Sequence, residues 1–211
     1  MATSGARRSA GASASRSTAT RRALLDAAVD ALREVGFAGA SAREIARRAG
    51  STQSQVFYHY TSVVDLLLAA LDEVSDRRLA HYQPLLEAAQ TPADLLGAVK
   101  TVIESDLASG DLRVLAEMIA GAAVVPGLDQ QVRRRLGPWF DFAETAVTKA
   151  VAGAPFAAFV PVKDIAHAVV AGVLGLEMLD SLGEHDRTAN LLSEGSKLVG
   201  ILAAVQEGGL S

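Results

Sequence analysis

Two helix-start signals eleven residues apart, with a glycine between them, constrain this chain more than any other feature. Ser41 is followed three residues later by Glu44, and Thr52 three residues later by Gln55. In each pair a hydroxyl can accept from an orphan amide at a helix start while the longer side chain reaches back. Gly50 sits where the first helix must stop, and glycine adopts the left-handed conformation such a stop needs. Ile45, Ala46 and Ala49 give the first helix a thin apolar face; Val56 with Tyr60 or Phe57 gives the second its own. Helices this short are not stable alone, so each must pack on neighbours. A tight turn with small residues at the crossing predicts a helix-turn-helix over residues 41–60. Its second helix carries Gln53, Ser54, Gln55, Tyr58 and His59, a set suited to base edges and phosphates. Gln53 and Gln55 can bond adenine in bidentate fashion, Tyr58 and His59 can bond phosphates, and Arg43 lies at a helix start that also favours phosphate.

Composition sets the class around that motif. Half of the residues are apolar and only 5% aromatic, prolines are few, and turn signals are widely spaced, which predicts an all-α protein. Without cysteine there is no disulfide, thiolate zinc site or cysteine nucleophile. A net charge of −4 by itself argues against nucleic acid, but the distribution of charge argues for it. Residues 1–60 hold nine arginines against four carboxylates, a local +5; residues 61–211 hold eleven bases against twenty acids, a local −9. A basic head on an acidic body is the asymmetry expected when one end meets DNA.

Taken in order, residues 1–19 lack apolar periodicity and read as a disordered basic arm, with Arg7, Arg8 and Arg16 available to DNA. Residues 20–66 form the three-helix head. Thr20 caps its first helix, which buries Leu24, Ala28, Ala31, Leu32 and Val35 and is stopped by Gly36. Ser62 caps a fourth helix that reaches about Tyr82, with Pro84 marking the break. Residues 67–211 are a helical body. One segment carries Leu95 to Leu107, a second runs over 112–125, and a third over 127–151. Residues 165–182 are apolar nearly all round, which predicts burial on several sides; the run is too short for a membrane span. Gly172 and Gly175 leave places for another helix to approach closely. The last segment, 186–206, sets Leu191, Leu198 and Leu202 on one face, and two such helices meeting their two-fold mates would form a four-helix dimer interface.

The runs RRALLDAAVDALREVGF, SAREIARRAG and VFYHYTSVVDLL, in that order, resemble the DNA-binding domain of the TetR family of one-component transcriptional regulators. Two positions depart from the family pattern: Val63 stands where the family has a lysine, and Phe57 where it has a tyrosine. The resemblance implies DNA contacts from Ser41, Arg43, Thr52, Gln53, Ser54, Gln55, Phe57, Tyr58, His59 and Ser62. It also implies dimerisation through the last two long helices, and a C-terminal domain that binds a small apolar effector.

Met118, Trp139, Phe140, Phe142 and Met178 are among the large adaptable side chains of the body; they either line such a cavity or fill a plain core. Glu177 on the apolar helix orients a ligand, pairs across a dimer, or points out at an edge. Four scattered histidines give no metal-spaced pair, and neither a glycine-rich phosphate loop nor a nucleophile elbow is present, so no cofactor, metal or catalytic residue is expected. The reading is a cytoplasmic, homodimeric regulator on a palindromic operator, a repressor released by its effector. The alternative is a helical protein–protein interaction module.

Overall fold

Apolar residues at helical spacing predict helices end to end, and the computed structural model of the chain, which describes residues 3–184 together with residues 190 and 194, has no strand among them. The helices are α1 (Thr3–Gly39), α2 (Ala42–Arg48), α3 (Gln53–His59), α4 (Val63–Ala88), α5 (Pro92–Ser109), α6 (Asp111–Ala122), α7 (Leu128–Arg135), α8 (Gly137–Val151) and α9 (Val162–Ser181). A single 3₁₀ turn, Ala157–Phe159, precedes α9. The fold class is the expected one. No helix among the described residues is long and apolar enough to cross a membrane.

The chain divides into two compact units, Met1–Val74 with Glu117–Val132, and Ser75–Ala116 with Arg133–Ser211. Patterning ends the head near residue 66, but its unit takes α4 as far as Val74 and recruits Glu117–Val132 from much later in the chain. Leu24, Leu32, Ile45, Val56, Leu66 and Leu67 are fully buried there, joined by Met118 and Leu128. Each such side chain contributes about 1.5–3 kcal/mol by leaving water. In the second unit α8 packs on α5 and α9. Leu86, Ala89 and Leu95 form a buried cluster there with Phe142 and Ala146 against it.

Several boundaries differ from expectation, each for a local reason. The arm expected to be disordered is helical from Thr3. Alanine and arginine favour helix, no proline interrupts, and a packed helix extends at little cost per residue. Thr20 therefore lies inside a helix, its hydroxyl donating to the Arg16 carbonyl at 3.0 Å rather than capping. Gly36 does break α1, at φ 71° and ψ −179°, and Val35 beside it is exposed rather than buried. Pro84 does not end α4. The proline removes one hydrogen bond, but the final turn is held by the Lys149 ammonium, which donates to the carbonyls of Leu86, Glu87 and Ala89 at 2.7, 3.1 and 3.2 Å. The single helix expected over 127–151 is two, because Gly137 and Pro138 start α8 afresh.

The all-round apolar α9 is not buried on several sides. Only Ala166 and Glu177 are buried, while Ile165, Val169, Met178 and Leu179 are exposed. A Cβ at Gly172 or Gly175 would meet nothing within 4 Å among the described residues. Leu191, Leu198 and Leu202, expected in a dimer interface, lie outside the described residues.

Candidate nucleic-acid interface and apolar cavity

The first unit positions α3 through caps and one stop. Ser41 Oγ accepts from the Glu44 amide at 3.2 Å and Thr52 Oγ1 from the Gln55 amide at 3.4 Å. Between them Gly50 takes φ 59°, its amide donates to the Arg47 carbonyl at 3.3 Å, and the Ser51 amide reaches the Ala46 carbonyl at 2.9 Å. That pair of bonds is the Schellman arrangement, which satisfies the last carbonyls of α2 and turns the chain into α3. Neither box closes reciprocally as patterning suggests. Glu44 instead takes Arg47 at 2.7 and 2.9 Å and Arg48 at 2.7 Å, and hydrogen bonds from Arg47 above all lower its carboxyl to about 2.

Burial then sorts the residues of α3. Val56 and Tyr60 face the core, while Thr52, Gln53, Ser54 and Gln55 are exposed. Phe57 and Tyr58 are 55% and 75% exposed, which for large rings on a seven-residue helix marks a surface kept open for a partner. Thr52 Oγ1 and Ser54 Oγ lie 2.8 Å apart. Ser62 Oγ accepts from the Asp65 amide at 3.0 Å, capping α4 beside this surface. His59 stands edge-on to Tyr58 at 4.9 Å, with its Nε2 buried and unbonded among the described residues.

The arginines separate by partner. Arg47 and Arg48 are held by Glu44, and Arg48 also by Glu34 at 2.7 Å. Arg43 is exposed and makes no ion pair among the described residues. Counting arginines in the sequence overstates the charge available to DNA, because two of the three in α2 are neutralised locally.

The second unit holds a partly open cavity of about 90 Å³. Its wall is aliphatic, with Val99 and Ile103 from α5 and Val170 and Val173 from α9, and two rings, Trp139 and Phe142, from α8. Three polar side chains reach it: Arg78, Tyr82 and Asp106. Arg78 Nε donates to Asp106 Oδ1 at 2.7 Å, Arg78 Nη2 pairs with Asp106 Oδ2, and the Tyr82 hydroxyl donates to Asp106 Oδ1 at 2.6 Å. The guanidinium lies 4.1 Å from the Trp139 ring centroid, and Trp139 Nε1 donates to Ser75 Oγ at 2.7 Å.

Of the side chains singled out in the sequence for a ligand, Trp139 and Phe142 line this cavity. Met118 does not; it is fully buried in the first unit. Phe140 stacks on His167 at 5.2 Å, Met178 is exposed, and Glu177 is buried but outside the lining. Burial, and secondarily Asp180, raises the Glu177 carboxyl above the usual range. Sequence patterning misses Arg78 and Asp106. The available signal is a charge falling in phase with an apolar stripe: Leu71, Val74, Arg78 and Tyr82 on α4, and Val99, Ile103 and Asp106 on α5. Two opposite charges in core phase on separate helices predict a buried pair.

A tight two-helix turn that buries one face of α3 and opens the other defines a helix-turn-helix DNA-binding unit. Residues 24–70 match the bacterial regulatory proteins of the tetR family. The uncharacterized HTH-type transcriptional regulator Rv2912c of Mycobacterium tuberculosis (strain H37Rv) is 32% identical over 118 residues, a match covering 55% of this chain and 60% of the relative's length. A transcriptional regulator from Rhodococcus sp. Rha1 superposes with a TM-score of 0.66 at 26% identity, covering 89% of this chain and 96% of that one. FadR of Bacillus subtilis, solved in complex with stearoyl-CoA, superposes at 0.71 with 13% identity, covering 84% and 96%. Residues 24–70 thus carry the DNA-binding domain of the tetR family, and the chain spans about 60% of the length of the curated relative it matches.

Proposed function

We propose that this protein is a transcriptional repressor that binds a palindromic operator as a homodimer and lets go when a small apolar effector enters the cavity of the second unit. The observation that carries the DNA-reading half is the exposed surface of α3, with Gln53 and Gln55 in its first turns and Phe57 and Tyr58 uncovered. Arg43 and the α4 start at Ser62 supply the phosphate contacts that set register. Supporting the effector half are the apolar cavity and the bound stearoyl-CoA of a protein with the same fold.

The two halves share helices. α4 and α6 each contribute residues to both units, with Leu112 and Leu115 of α6 on the cavity wall and Glu117 and Gly121 of the same helix in the DNA-reading unit. An effector preferring one arrangement of these helices shifts the population of the other, and a coupling of about 1–3 kcal/mol is typical. The uncovered apolar surface of α9, with open space at Gly172 and Gly175, supports a second copy as its cover.

Gel retardation of a genomic fragment library by the full chain tests the reading. A small set of retained fragments sharing an inverted repeat, with a stoichiometry of one dimer per site, is expected. Retention of all fragments alike, or of none, rejects it in favour of a helical protein–protein interaction module.

A further inference from the structure

Carboxylates hold most of the described arginines of the helix-turn-helix unit. Arg22 pairs with Asp26 at 2.9 Å and with Glu73 at 2.7 Å. Arg33 lies 3.7 Å from Asp30, Arg47 pairs with Glu44, and Arg48 with both Glu44 and Glu34, each of these last three at 2.7 Å. Arg21 differs. It is exposed, and its side chain makes neither an ion pair nor a hydrogen bond among the described residues. What it has is a ring: its guanidinium carbon lies 5.5 Å from the ring centroid of Tyr60.

Tyr60 fixes where that cation stands. It is the C-cap of α3, its amide donates to the Val56 carbonyl at 2.9 Å, and it is only 8% exposed. A buried ring does not wander, so the platform marks the C-terminal end of the reading helix. Ser62, the cap of α4, comes next but one in the chain, at most about 7 Å on. Arg43 stands in the first turn of α2, ahead of α3. Arg21 and Arg43, neither with a carboxylate among the described residues, therefore flank α3, one on the helix before it and one at its end.

Stacking uses the face of a guanidinium and leaves the N–H donors around its edge free, whereas a carboxylate consumes them. A seated arginine also has less rotamer freedom to lose when an anion arrives. The neighbouring Arg22 guards this arrangement. Asp26 and Glu73 both lie near enough to act on the Tyr60 hydroxyl, and Arg22 holds both, which keeps the local anions off Arg21. The partner left is an anion from outside, and beside a helix presented to DNA that anion is a backbone phosphate.

We propose that Arg21, seated on Tyr60, is a phosphate clamp at the C-terminal end of α3, complementing Arg43 ahead of it. This rests on the DNA-reading surface proposed above and adds a contact from outside α2–α4, supplied by the first helix.

Fluorescence anisotropy of the full chain, with a random-sequence duplex and with a fragment retained in gel retardation, tests it at salt from about 50 to about 200 mM. Arg21→Met should weaken binding to both about 10-fold for each half-site, the loss of one hydrogen-bonded charge. It should also flatten the slope of log affinity against log salt by about 0.9 for each half-site, one phosphate fewer. Arg21→Lys retains the charge and should keep the parent slope. Arg22→Met removes the same charge one residue on, from a place already neutralised, and should leave the slope near the parent's.

An unchanged slope in Arg21→Met overturns the proposal; if that variant also melts lower, Arg21 is a brace for Tyr60 and not a contact. Equal flattening by Arg21→Met and Arg22→Met overturns it as well, because net charge rather than position would then be what DNA senses. If the unaltered chain binds neither duplex, the DNA-reading surface is rejected and the clamp with it.

Discussion

A Cβ placed on Gly121 would lie 2.5 Å from the ring of Phe37, so the aromatic ring reaches the backbone of α6 only because residue 121 has no side chain. The same helix holds the turn electrostatically, since the Phe37 amide donates to Glu117 Oε2 at 2.9 Å. Gly121→Ala should therefore displace Phe37 and destabilise the DNA-reading unit by about 1–3 kcal/mol, as overpacking does. Gly97, in the middle of α5 with nothing within 4 Å among the described residues, is the control. Gly97→Ala should stabilise by about 0.5–1 kcal/mol, since only backbone entropy changes. Urea unfolding of the two variants checks both signs.

Gln53 and Gln55 are exposed on α3, and their side chains make no hydrogen bond among the described residues that would compete with a base. Replacing either with alanine should cost about 1–3 kcal/mol of operator affinity and relax preference at one position of the site. Titration of each variant against a panel of point-mutated operators measures it. Affinity and preference unchanged across the panel would show that neither side chain reads a base.

Val63 opens α4 half-exposed, next to the capped amides at Ser62, where the family carries lysine. Val63→Lys should raise affinity for specific and nonspecific DNA alike. It should steepen the slope of log affinity against log salt by about 0.9, the value for one neutralised phosphate. An unaltered slope would place the start of α4 away from the DNA backbone.

Leu179 is 51% exposed on the uncovered surface of α9. Leu179→Arg puts an unpaired charge on that surface, and a dimer that buries it should dissociate to monomer in light scattering. A soluble dimer of unchanged mass would move the interface off this part of α9.

Glu177 is buried, and burial raises its carboxyl above the unfolded value, so the native state binds this proton more tightly than the unfolded chain. The stability linked to it is present below the unfolded pKa and is lost as pH rises through the raised native one. Glu177→Gln should accordingly melt higher than the parent once the carboxyl ionises, and the gap should widen as pH climbs above the ordinary carboxylate range. A gap that narrows with that climb would mean that the carboxylate is stabilised by a partner when charged.

Short-range chemistry makes much of this protein readable in one dimension. The caps at Ser41 and Thr52, the left-handed Gly50 and the break at Gly36 depend on residues within a few positions of each other, so their spacing alone announces the helix-turn-helix. The same holds for the Gly110 stop after α5, at φ 66°. Where a distant residue intervenes, the local signal misleads. Pro84 reads as a break until Lys149, some sixty positions on, ties off the last turn of α4. Arg47 counts toward the basic charge of the head until Glu44 turns from its capping box to bind it.

Which residues make up each unit is a three-dimensional matter. Nothing in the spacing of Met118, Leu128 and Val132 says that they complete the core around Leu24 and Ile45 rather than the cavity wall, because apolar periodicity records that a face is buried and not against what. Local pattern is enough for the all-α class, the DNA-reading motif and the match of residues 24–70 to the tetR family. Which charges cancel depends on packing, since Arg78 and Asp106 are 28 residues apart and become a pair only when the α4 and α5 segments close around one cavity.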